Sequence, residues 1–339
     1  MSKIILGLSG GVDSALAASL LQSGHEVTGV YLDVTGTGVP AAAQDAARIL
    51  GIRLIVRDVR ALLEERVCAP FADAYLSGLT PIPCIVCNRE MKFLSLFAVA
   101  DEIGADFVAT GHYARTGVYA SAPAILRGAS VTKDQSYMLY RLKREWLPRL
   151  IFPLGDYPDK DAVRADARSH GLAQAADSPD SQDICFIPDG DYAAWIERRG
   201  VFPPAGDIVD EDGRVLGRHN GIHRHTVGQR RGLGVAAGER VYVSRIDREH
   251  NRVVLARGTA LMSRRVEAQD CHLLTDALPD FVEAKVRYSA KAASARVVEA
   301  VQGGRLVLEF DEPVRAPAPG QSLVLYDGDV VLGGGFIAG

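Results

Sequence analysis

The sequence lacks two features that would place it in a membrane or outside the cell. No apolar run approaches the 18 or more residues that a membrane-spanning helix needs, although hydrophobic residues make up 47% of the 339-residue chain. Its five cysteines, two of them spaced as C-x-x-C, do not form the disulfide framework of a small secreted protein. We therefore expect a cytoplasmic protein with no membrane association, whose reduced thiols serve thiol or metal chemistry.

The chain also lacks a strong charge of either sign. Its formal net charge is −4, and charged residues make up 24% of it, as in an ordinary globular protein. Any contact with nucleic acid must therefore come from a local basic patch. The segment 218–231 is such a patch, because it has four arginines and three histidines and no acidic residue. Its composition fits a phosphate-binding loop and a solvated basic loop equally well.

A glycine-rich turn separates the apolar run Ile4 to Leu8 from the helix-forming run Ala15 to Leu21. It contains neither the lysine of the G-x-x-x-x-G-K-[ST] loop nor the G-x-G-x-x-G pattern. Gly10 and Gly11 permit positive φ and a close approach to an anion, which a helix N-terminus attracts. The pattern predicts a phosphate site between a strand and a helix.

Polar side chains in this turn add ligands for a nucleotide. Ser9 and Ser14 supply hydroxyl donors, and Asp13 is suited to hold the magnesium ion that accompanies a nucleotide. A glycine-rich β–α turn without any ligand is the alternative, but such a turn would not need these side chains.

The order of the patterns predicts an α/β domain followed by β domains. Up to about residue 110, short β-rich runs at Ile4–Leu8, Val27–Leu32, Leu54–Val56 and Phe107–Ala109 alternate with helical patterns at Ala41–Leu50, Arg60–Leu76 and Arg89–Ile103. This alternation predicts a parallel sheet with ligands at the carboxyl ends of its strands. After a linker at Pro203 to Gly206, short alternating runs predict a small mainly-β domain and a compact β-barrel. We place the domains at 1–200, 201–264 and 265–339.

Three cysteines are candidates for chemistry. Cys84 and Cys87 precede a predicted helix with Asn88 as N-cap, where a thiol pKa should be lowered. Cys185 lies between Ile184 and Phe186, as if a strand edge brought its sulfur into a pocket. The alternative for Cys84 and Cys87 is half of a structural zinc site, although the chain has no second C-x-x-C or H-x-x-x-H pair. Cys68 and Cys271, alone in apolar patterns, are predicted to be buried.

The turn S-G-G-V-D-S resembles the PP-loop of ATP pyrophosphatases, and further motifs resemble the tRNA-specific 2-thiouridylases of the MnmA/TrmU family. Those motifs are P-C-I-V-C-N, A-T-G-H-Y-A-R, K-D-Q-S-Y-M-L, D-S-Q-D-I-C-F, H-x-x-T-V-G-Q-R-R-G-L-G, V-R-Y and P-G-Q-S, in order along nearly the whole chain. The resemblance implies a nucleotide-binding fold like that of the adenine nucleotide alpha hydrolases. It also implies adenylation of the C2 oxygen of the wobble uridine in tRNAs for Lys, Glu and Gln, followed by replacement with sulfur.

The resemblance also implies site residues. It assigns ATP and Mg²⁺ to Gly7, Leu8, Ser9, Gly10, Gly11, Val12, Asp13 and Ser14, with Leu32 and Gly111 near the adenine or ribose. It makes Cys185 the sulfur-carrying residue and Cys87 its catalytic partner. The tRNA is assigned to Ile82, Pro83 and Cys84 at the target base and to His112, Lys133, Asp134, Gln135, Arg287, Tyr288 and Gln321 elsewhere. Tyr113 or Pro83 could pack on the extruded base.

The route of the sulfur stays open at this stage. One branch of the family has Asp where this chain has Cys84, and that branch is understood to use a persulfide with a disulfide-forming partner. Three thiolates, Cys84, Cys87 and Cys185, could instead ligate a four-iron four-sulfur cluster, and we predict that they do. The donor would be a cysteine desulfurase, a relay protein or inorganic sulfide.

Two other functions remain to be weighed. A different PP-loop enzyme, of the synthetase or amidotransferase type, would not need the thiols or an RNA-facing β domain. A non-catalytic RNA-binding protein with zinc at its C-x-x-C would not need the phosphate turn.

Overall fold

The computed structural model describes residues 1–179, 184–236 and 238–339. Packing divides the chain into two compact units. The first comprises residues 1–67, 84–186 and 328–331, and the second comprises residues 68–83, 187–327 and 332–339. In the described ranges, no helix has both the length and the apolar character needed to cross a membrane.

The first unit is built on a parallel sheet. Its strands are β1 (Lys3–Gly7), β2 (Glu26–Asp33), β3 (Arg53–Asp58) and β4 (Phe107–Ala109), with a hairpin of β5 (Ala114–Tyr119) and β6 (Ala122–Arg127) and the short β7 (Leu150–Ile151). The sheet order is β3-β2-β1-β4-β7, and all of its pairings are parallel. The predicted parallel sheet and its first four strands are therefore confirmed.

The strand order places a binding crevice. The chain runs outward from β1 through β2 to β3 and then returns to β4 on the other side of β1. Loops at the carboxyl ends of β1 and β4 therefore diverge, and ligands of open α/β sheets bind at such a point. The glycine-rich turn follows β1, and Thr110 to His112 follow β4.

The helices of the chain lie mostly in the first unit. They are α1 (Val12–Gln22), α2 (Ala41–Leu50), α3 (Arg60–Leu63), α4 (Ala69–Leu76), α5 (Pro83–Cys87), α6 (Phe93–Ile103), α7 (Lys160–Ser169), α8 (Ala173–Ala176) and α9 (Tyr192–Glu197). Helix α1 packs through Ala15, Leu16 and Ala17, all fully buried, against Ile4 and Leu6 of β1. Its small side chains bring the helix close to the sheet and so fix the turn between them.

The helix predicted over Arg60–Leu76 is confirmed, since every residue of that range is helical. A π-helical turn at Glu64–Cys68 joins α3 to α4, and Pro70 stands in the first turn of α4. Proline has no N–H to donate, so the regular hydrogen-bond pattern is interrupted there while the chain stays helical. In the second unit, the Tyr75 ring of α4 stacks on Tyr192 with 4.3 Å between centroids.

The second unit contains two β-structures. A four-stranded sheet has the order β10-β11-β8-β9, from β8 (Gly206–Val209), β9 (Val215–His219), β10 (Val241–Asp247) and β11 (Arg252–Arg257). A barrel has the order β12-β15-β14-β13-β16-β17 and is closed by pairing of β12 with β17. Its strands are β12 (Met262–Leu273), β13 (Phe281–Lys285), β14 (Ala293–Ala300), β15 (Leu306–Arg315), β16 (Ser322–Asp327) and β17 (Val330–Ile337). Both predicted β-structures are confirmed.

Candidate active site

Serine hydroxyls hold the turn after β1. Ser14 Oγ accepts the N–H of Ser9 at 3.2 Å and donates to the carbonyl oxygen of Gly11 at 3.0 Å. Gly11 is the N-cap of α1, and no side chain caps the helix. The first N–H groups of α1 therefore have no acceptor within the helix and point toward the crevice, as an anion site requires.

Gly10 is required on two independent grounds. Its φ is +91°, a conformation that other residues adopt only with strain. A Cβ atom on Gly10 would lie 2.6 Å from the backbone nitrogen of Ala43, in the first turn of α2. The turn is thus shaped by contact with α2 as well as by its own sequence.

Asp13, the predicted magnesium ligand, is held by two side chains from elsewhere in the first unit. Lys160 Nζ donates to Asp13 Oδ2 at 2.6 Å, and the Tyr113 hydroxyl donates to Asp13 Oδ1 at 2.8 Å. Gly111 lies directly against it, because a Cβ at position 111 would come within 2.8 Å of the Asp13 carbonyl carbon. Gly111 is therefore placed at the phosphate turn, where sequence reasoning expected it near ATP.

Two members of this group differ from expectation. Tyr113, one of two residues that could pack on the target base, is 3% exposed and its hydroxyl is bonded to Asp13, so its ring is not presented to a base in this structure. Lys160 was missed altogether, since it stands 147 residues from Asp13 in sequence. The one available signal was Asp159, which caps α7 through the N–H of Ala162 and so makes Lys160 the first helical residue.

The three candidate thiols lie in the first unit, and the pKa of Cys87 contradicts the sequence-based expectation. Cys87 ends α5 and is buried, and burial raises its pKa to about 11 despite the ammonium of Lys92. Asn88 is not an N-cap; it is buried and donates to the carbonyl oxygen of Met138 at 3.0 Å. Cys87 is the fifth residue of a helical segment that begins at Pro83, and burial there outweighs every favourable interaction, so the lowered pKa predicted for Cys87 was wrong.

Cys84 and Cys185 are exposed to solvent. Cys185 lies in a turn and not at a strand edge, which corrects the predicted setting, and residues 180–183 of its motif are outside the described residues. Surrounding protein atoms still exclude enough water to raise the pKa of the Cys185 thiol, and the Cys84 thiol acts in the same direction. Cys68 and Cys271 are buried, as predicted.

Lys92 is a second residue that sequence reasoning missed. It ends a π-helical turn, Asn88–Lys92, and π-turns often mark functional sites. Burial raises the pKa of Cys87 and Cys185, and the Lys92 ammonium offsets part of that rise, while its backbone N–H also bonds the Cys87 sulfur. For His112, the same ammonium adds to the lowering of the pKa that burial causes. Lys92 is therefore the cation that favours thiolate formation in this part of the site.

The three thiols are close enough to interact electrostatically, since Cys84 raises the pKa of both Cys87 and Cys185, after the larger effect of burial. Throughout the part of the chain that the structure describes, no group of three or more His, Cys, Asp or Glu side chains is placed to hold a metal ion. Thiolate sulfurs are nevertheless suitable ligands for iron and for zinc, so the chemistry of the three side chains suits a metal centre.

His112 connects the two parts of the site. Its Nδ1 is 2.7 Å from the hydroxyl of Thr110, and its ring stacks on Phe93 with 5.8 Å between centroids. Burial, followed by the charge of Lys92, lowers its pKa far below the usual value, so the imidazole is neutral at pH 7. Contacts through Gly111, His112 and Phe93 thus connect Asp13 with α6, the helix that follows Cys84 and Cys87 in sequence.

The segment 133–135, assigned to tRNA, also makes hydrogen bonds that hold the backbone next to the site. Asp134 accepts the N–H groups of Gly128 and Ser136, each at 3.0 Å. Gln135 Oε1 accepts the N–H of Tyr113 at 3.0 Å. Two of the three assigned side chains thus hold the loop that presents Tyr113 to Asp13, while Lys133 is half-buried.

In the second unit, basic residues from separate motifs come together. The Arg315 guanidinium lies 4.6 Å from the centre of the Tyr242 ring, and the Tyr242 hydroxyl accepts hydrogen bonds from Arg230 and Arg315. Arg287 Nη2 donates to the carbonyl oxygens of Arg315 and Ala316. This arginine cluster, Arg230, Arg287 and Arg315, combines the basic segment with the V-R-Y motif.

The other residues assigned to tRNA are spread over the second unit. Gln321 Nε2 donates to the carbonyl oxygen of Thr80 at 2.8 Å, two residues before Ile82. Lys285 Nζ lies 5.5 Å from the centre of the Tyr288 ring. Pro83 is buried, so its ring is not presented to a base in this structure.

Comparison with known proteins agrees with this architecture. Three family models match in succession: the tRNA methyl transferase HUP domain over residues 2–189, the tRNA methyl transferase PRC-barrel domain over 196–257 and the aminomethyltransferase beta-barrel domain over 263–337. Two similar proteins are each called tRNA-specific 2-thiouridylase MnmA. That of Acetivibrio thermocellus is 43% identical over 99% of both chains, and that of Carboxydothermus hydrogenoformans is 42% identical over 99% of this chain and 97% of its own.

A parallel sheet with an S-G-G-V-D-S turn at its switch point, followed by two β-domains, defines a nucleotide-binding enzyme of the PP-loop class. The similarity to the two relatives extends over nearly the whole length of the chain. The chain belongs to the family of tRNA-specific 2-thiouridylases, MnmA.

Proposed function

We propose that this protein uses ATP and Mg²⁺ to adenylate the C2 oxygen of the wobble uridine in tRNAs for Lys, Glu and Gln, and then replaces that oxygen with sulfur. One observation supports this most directly. Gly111 packs against Asp13 while the adjoining His112 stacks on Phe93, next to Lys92 and the thiols. Gly111 and His112, which are adjacent in sequence, therefore border the proposed nucleotide site and the proposed sulfur site, respectively.

The turn after β1 fits the triphosphate. The uncapped N-terminus of α1 and the glycines 10 and 11 would receive the phosphates, and Asp13 would bind Mg²⁺. Magnesium supplies charge neutralisation when bound. The uridine carbonyl oxygen forms a bond to the α-phosphorus, and the bond from that phosphorus to the bridging oxygen breaks, so that its electron pair leaves with pyrophosphate.

Sulfur transfer then uses Cys185 and Cys87. A persulfide on Cys185, formed by a sulfur-donor protein, attacks C2 through its terminal sulfur, and AMP leaves with the oxygen. The Cys87 thiolate next attacks the inner sulfur of Cys185, which releases 2-thiouridine and forms a Cys87–Cys185 disulfide. An external dithiol must reduce that disulfide before the next turnover. The exposure of Cys185 suits it to receive sulfur from a protein donor.

The iron–sulfur cluster predicted on Cys84, Cys87 and Cys185 remains a second proposal for sulfur delivery. Three thiolates are an appropriate donor set. However, the described residues contain no group placed to hold a metal ion, and we therefore derive no step through a cluster. Iron and sulfide analysis after anaerobic reconstitution tests it. Near-zero iron together with full thiolation by a Cys84→Asp variant would leave only the persulfide route.

The residues proposed to contact tRNA are, in the second unit, the arginine cluster and, separately in the first unit, the loop around Lys133. Arginine guanidinium groups bind phosphate with two hydrogen bonds, and three of them in one cluster suit a folded RNA backbone. For the sulfur donor we propose a cysteine desulfurase, a relay protein or inorganic sulfide, and these residues do not distinguish among the three. A tRNA substrate implies a cytoplasmic location, which is part of the same proposal.

The proposal is tested by separating activation from sulfur transfer. Cys185→Ala should abolish 2-thiouridine but keep tRNA-dependent formation of AMP and pyrophosphate, whereas Asp13→Ala should lose both. Cys271→Ala, which removes a buried thiol of the barrel, serves as the control and should keep both activities. Retained thiolation by Cys185→Ala would overturn the assignment of the sulfur carrier, and AMP formation without tRNA dependence would favour another PP-loop enzyme.

A further inference from the structure

We infer that Lys160 is a catalytic residue of the ATP step, supplying to the α-phosphate the positive charge that the turn after β1 lacks. The inference rests on the proposed function, in that it takes ATP as the ligand of that turn. The sequence of the turn contains no lysine, so any cation beside the phosphates must come from another element.

The position of Lys160 is built by the fold. It is the first residue of α7, whose start is fixed by the Asp159 cap, and α7 packs on α1 through the buried Val163 and Ala167. The Lys160 side chain is 14% exposed and reaches Asp13 Oδ2 at 2.6 Å. A lysine held this way has lost the rotamer freedom that a surface ion pair keeps.

The contact with Asp13 would put Lys160 beside the phosphates of a bound nucleotide. Lys160 Nζ lies 2.6 Å from Asp13 Oδ2, the carboxylate that would hold Mg²⁺ together with the phosphates. An α-phosphate oxygen that shared Mg²⁺ with Asp13 would be close to that carboxylate, and the Lys160 ammonium would then be within reach of both.

This location gives Lys160 a task during adenylation. As the bond between the α-phosphorus and the bridging oxygen breaks, negative charge accumulates on pyrophosphate and on the oxygens of the α-phosphate. A fixed ammonium stabilises that charge without reorganisation. A lysine that merely neutralised Asp13 would do the opposite, since it would compete with Mg²⁺ for the carboxylate.

Equilibrium binding separates the two roles without catalysis. We would titrate α,β-methylene ATP, which resists cleavage, into the full-length protein with and without Mg²⁺, and compare Lys160→Met, Lys160→Arg and Lys3→Met. Lys3 is exposed at the opposite end of β1 and is the matched control. We expect Lys160→Met to bind the Mg²⁺ complex about 10- to 100-fold more weakly, the usual effect of losing a hydrogen bond to a charged group. Lys160→Arg should recover most of the affinity.

The outcomes are distinguishable. If Lys160→Met binds the analogue as tightly as the unaltered protein and needs less Mg²⁺, Lys160 is a counterion of Asp13 and the inference is overturned. If Lys160→Arg also fails while both variants keep the thermal unfolding midpoint of Lys3→Met, the site requires lysine geometry, and the inference stands. An unaltered protein that forms no AMP with tRNA would contradict the proposed function itself, whatever the lysine variants do.

Discussion

The candidate site in the first unit has a phosphate side, the turn with Gly10 and Asp13, and a thiol side, with Cys87 and Cys185. These two sides are prepared for reaction to very different degrees. Asp13 has partners on both carboxylate oxygens, and Gly10 is fixed by contact with α2. On the other side, the pKa of Cys87 is raised to about 11 and Cys185 stands in an exposed turn. Activation of the carbonyl thus uses geometry built in advance, whereas the sulfur nucleophile must be generated when it is needed. A protonated thiol is also less open to oxidation between turnovers.

Of the changes considered, Gly10→Ala should have the largest effect, and it should act on the phosphate side. We expect the affinity for ATP to fall about 100-fold or more, a loss near 3 kcal/mol, because the new methyl group adds a backbone clash with Ala43 to the strain of φ +91°. Gly51→Ala is the matched control, since Gly51 has φ +64° with no atom within 4 Å of its Cβ position. Equal losses in both variants would show that strain alone, and not the contact with α2, shapes the turn.

Replacing Arg230 and Arg231 with Ala should affect tRNA and leave the ATP side unchanged. Each lost phosphate contact should flatten the log–log dependence of tRNA affinity on salt by about one unit. Arg214→Ala is the control, because Arg214 is exposed and pairs with Asp210. Filter binding at several salt concentrations measures the slope. An unaltered slope would indicate that segment 218–231 is a solvated basic loop that makes no phosphate contacts through these two arginines.

Lys92→Met should act on the thiol side alone and has the smallest expected effect. Below pH 11 the Cys87 thiolate fraction rises about tenfold per pH unit, since the thiol pKa is about 11. Removing the ammonium raises that pKa further, so alkylation of Cys87 by iodoacetamide should slow about threefold at any fixed pH below it. Lys92→Arg keeps the charge and should react normally. Mass spectrometry of the labelled peptide gives the rates, and equal rates in Lys92→Met would exclude an electrostatic role.

The sequence predicted the first four strands and the phosphate turn because these depend on local patterns. Apolar runs such as Ile4 to Leu8 must be buried on both faces, and glycine must follow where the backbone turns sharply. The hairpin of β5 and β6 was missed, since Ala120 and Ser121 take positive φ without the Asn-Gly signal of such turns. Strand β17 was missed because Gly333 to Gly335 resemble a turn. There a Cβ on Gly333 would lie 2.3 Å from the carbonyl oxygen of His272, so glycine permits close strand contact.

The site was predictable where a motif contains its own chemistry and unpredictable where distant elements meet. Asp13 was identified from the turn, but its partner Lys160 depends on how α7 packs on α1. The thiols were identified as candidates, but their protonation depends on burial, which the expected helix N-terminus did not describe. The domain boundaries and the tRNA contacts stay predictions.

The contact between Gly10 and α2 has a consequence for local unfolding of the first unit. Because the backbone of Ala42 and Ala43 occupies the space beside Gly10, the turn keeps its shape only while the first turn of α2 stays docked. Amide hydrogens of the turn and of α2 then belong to one cooperative unit, which exchanges with solvent in a single local unfolding event. Undocking of α2 without loss of the rest of the sheet would therefore deform the phosphate turn while the strands beside it stay paired.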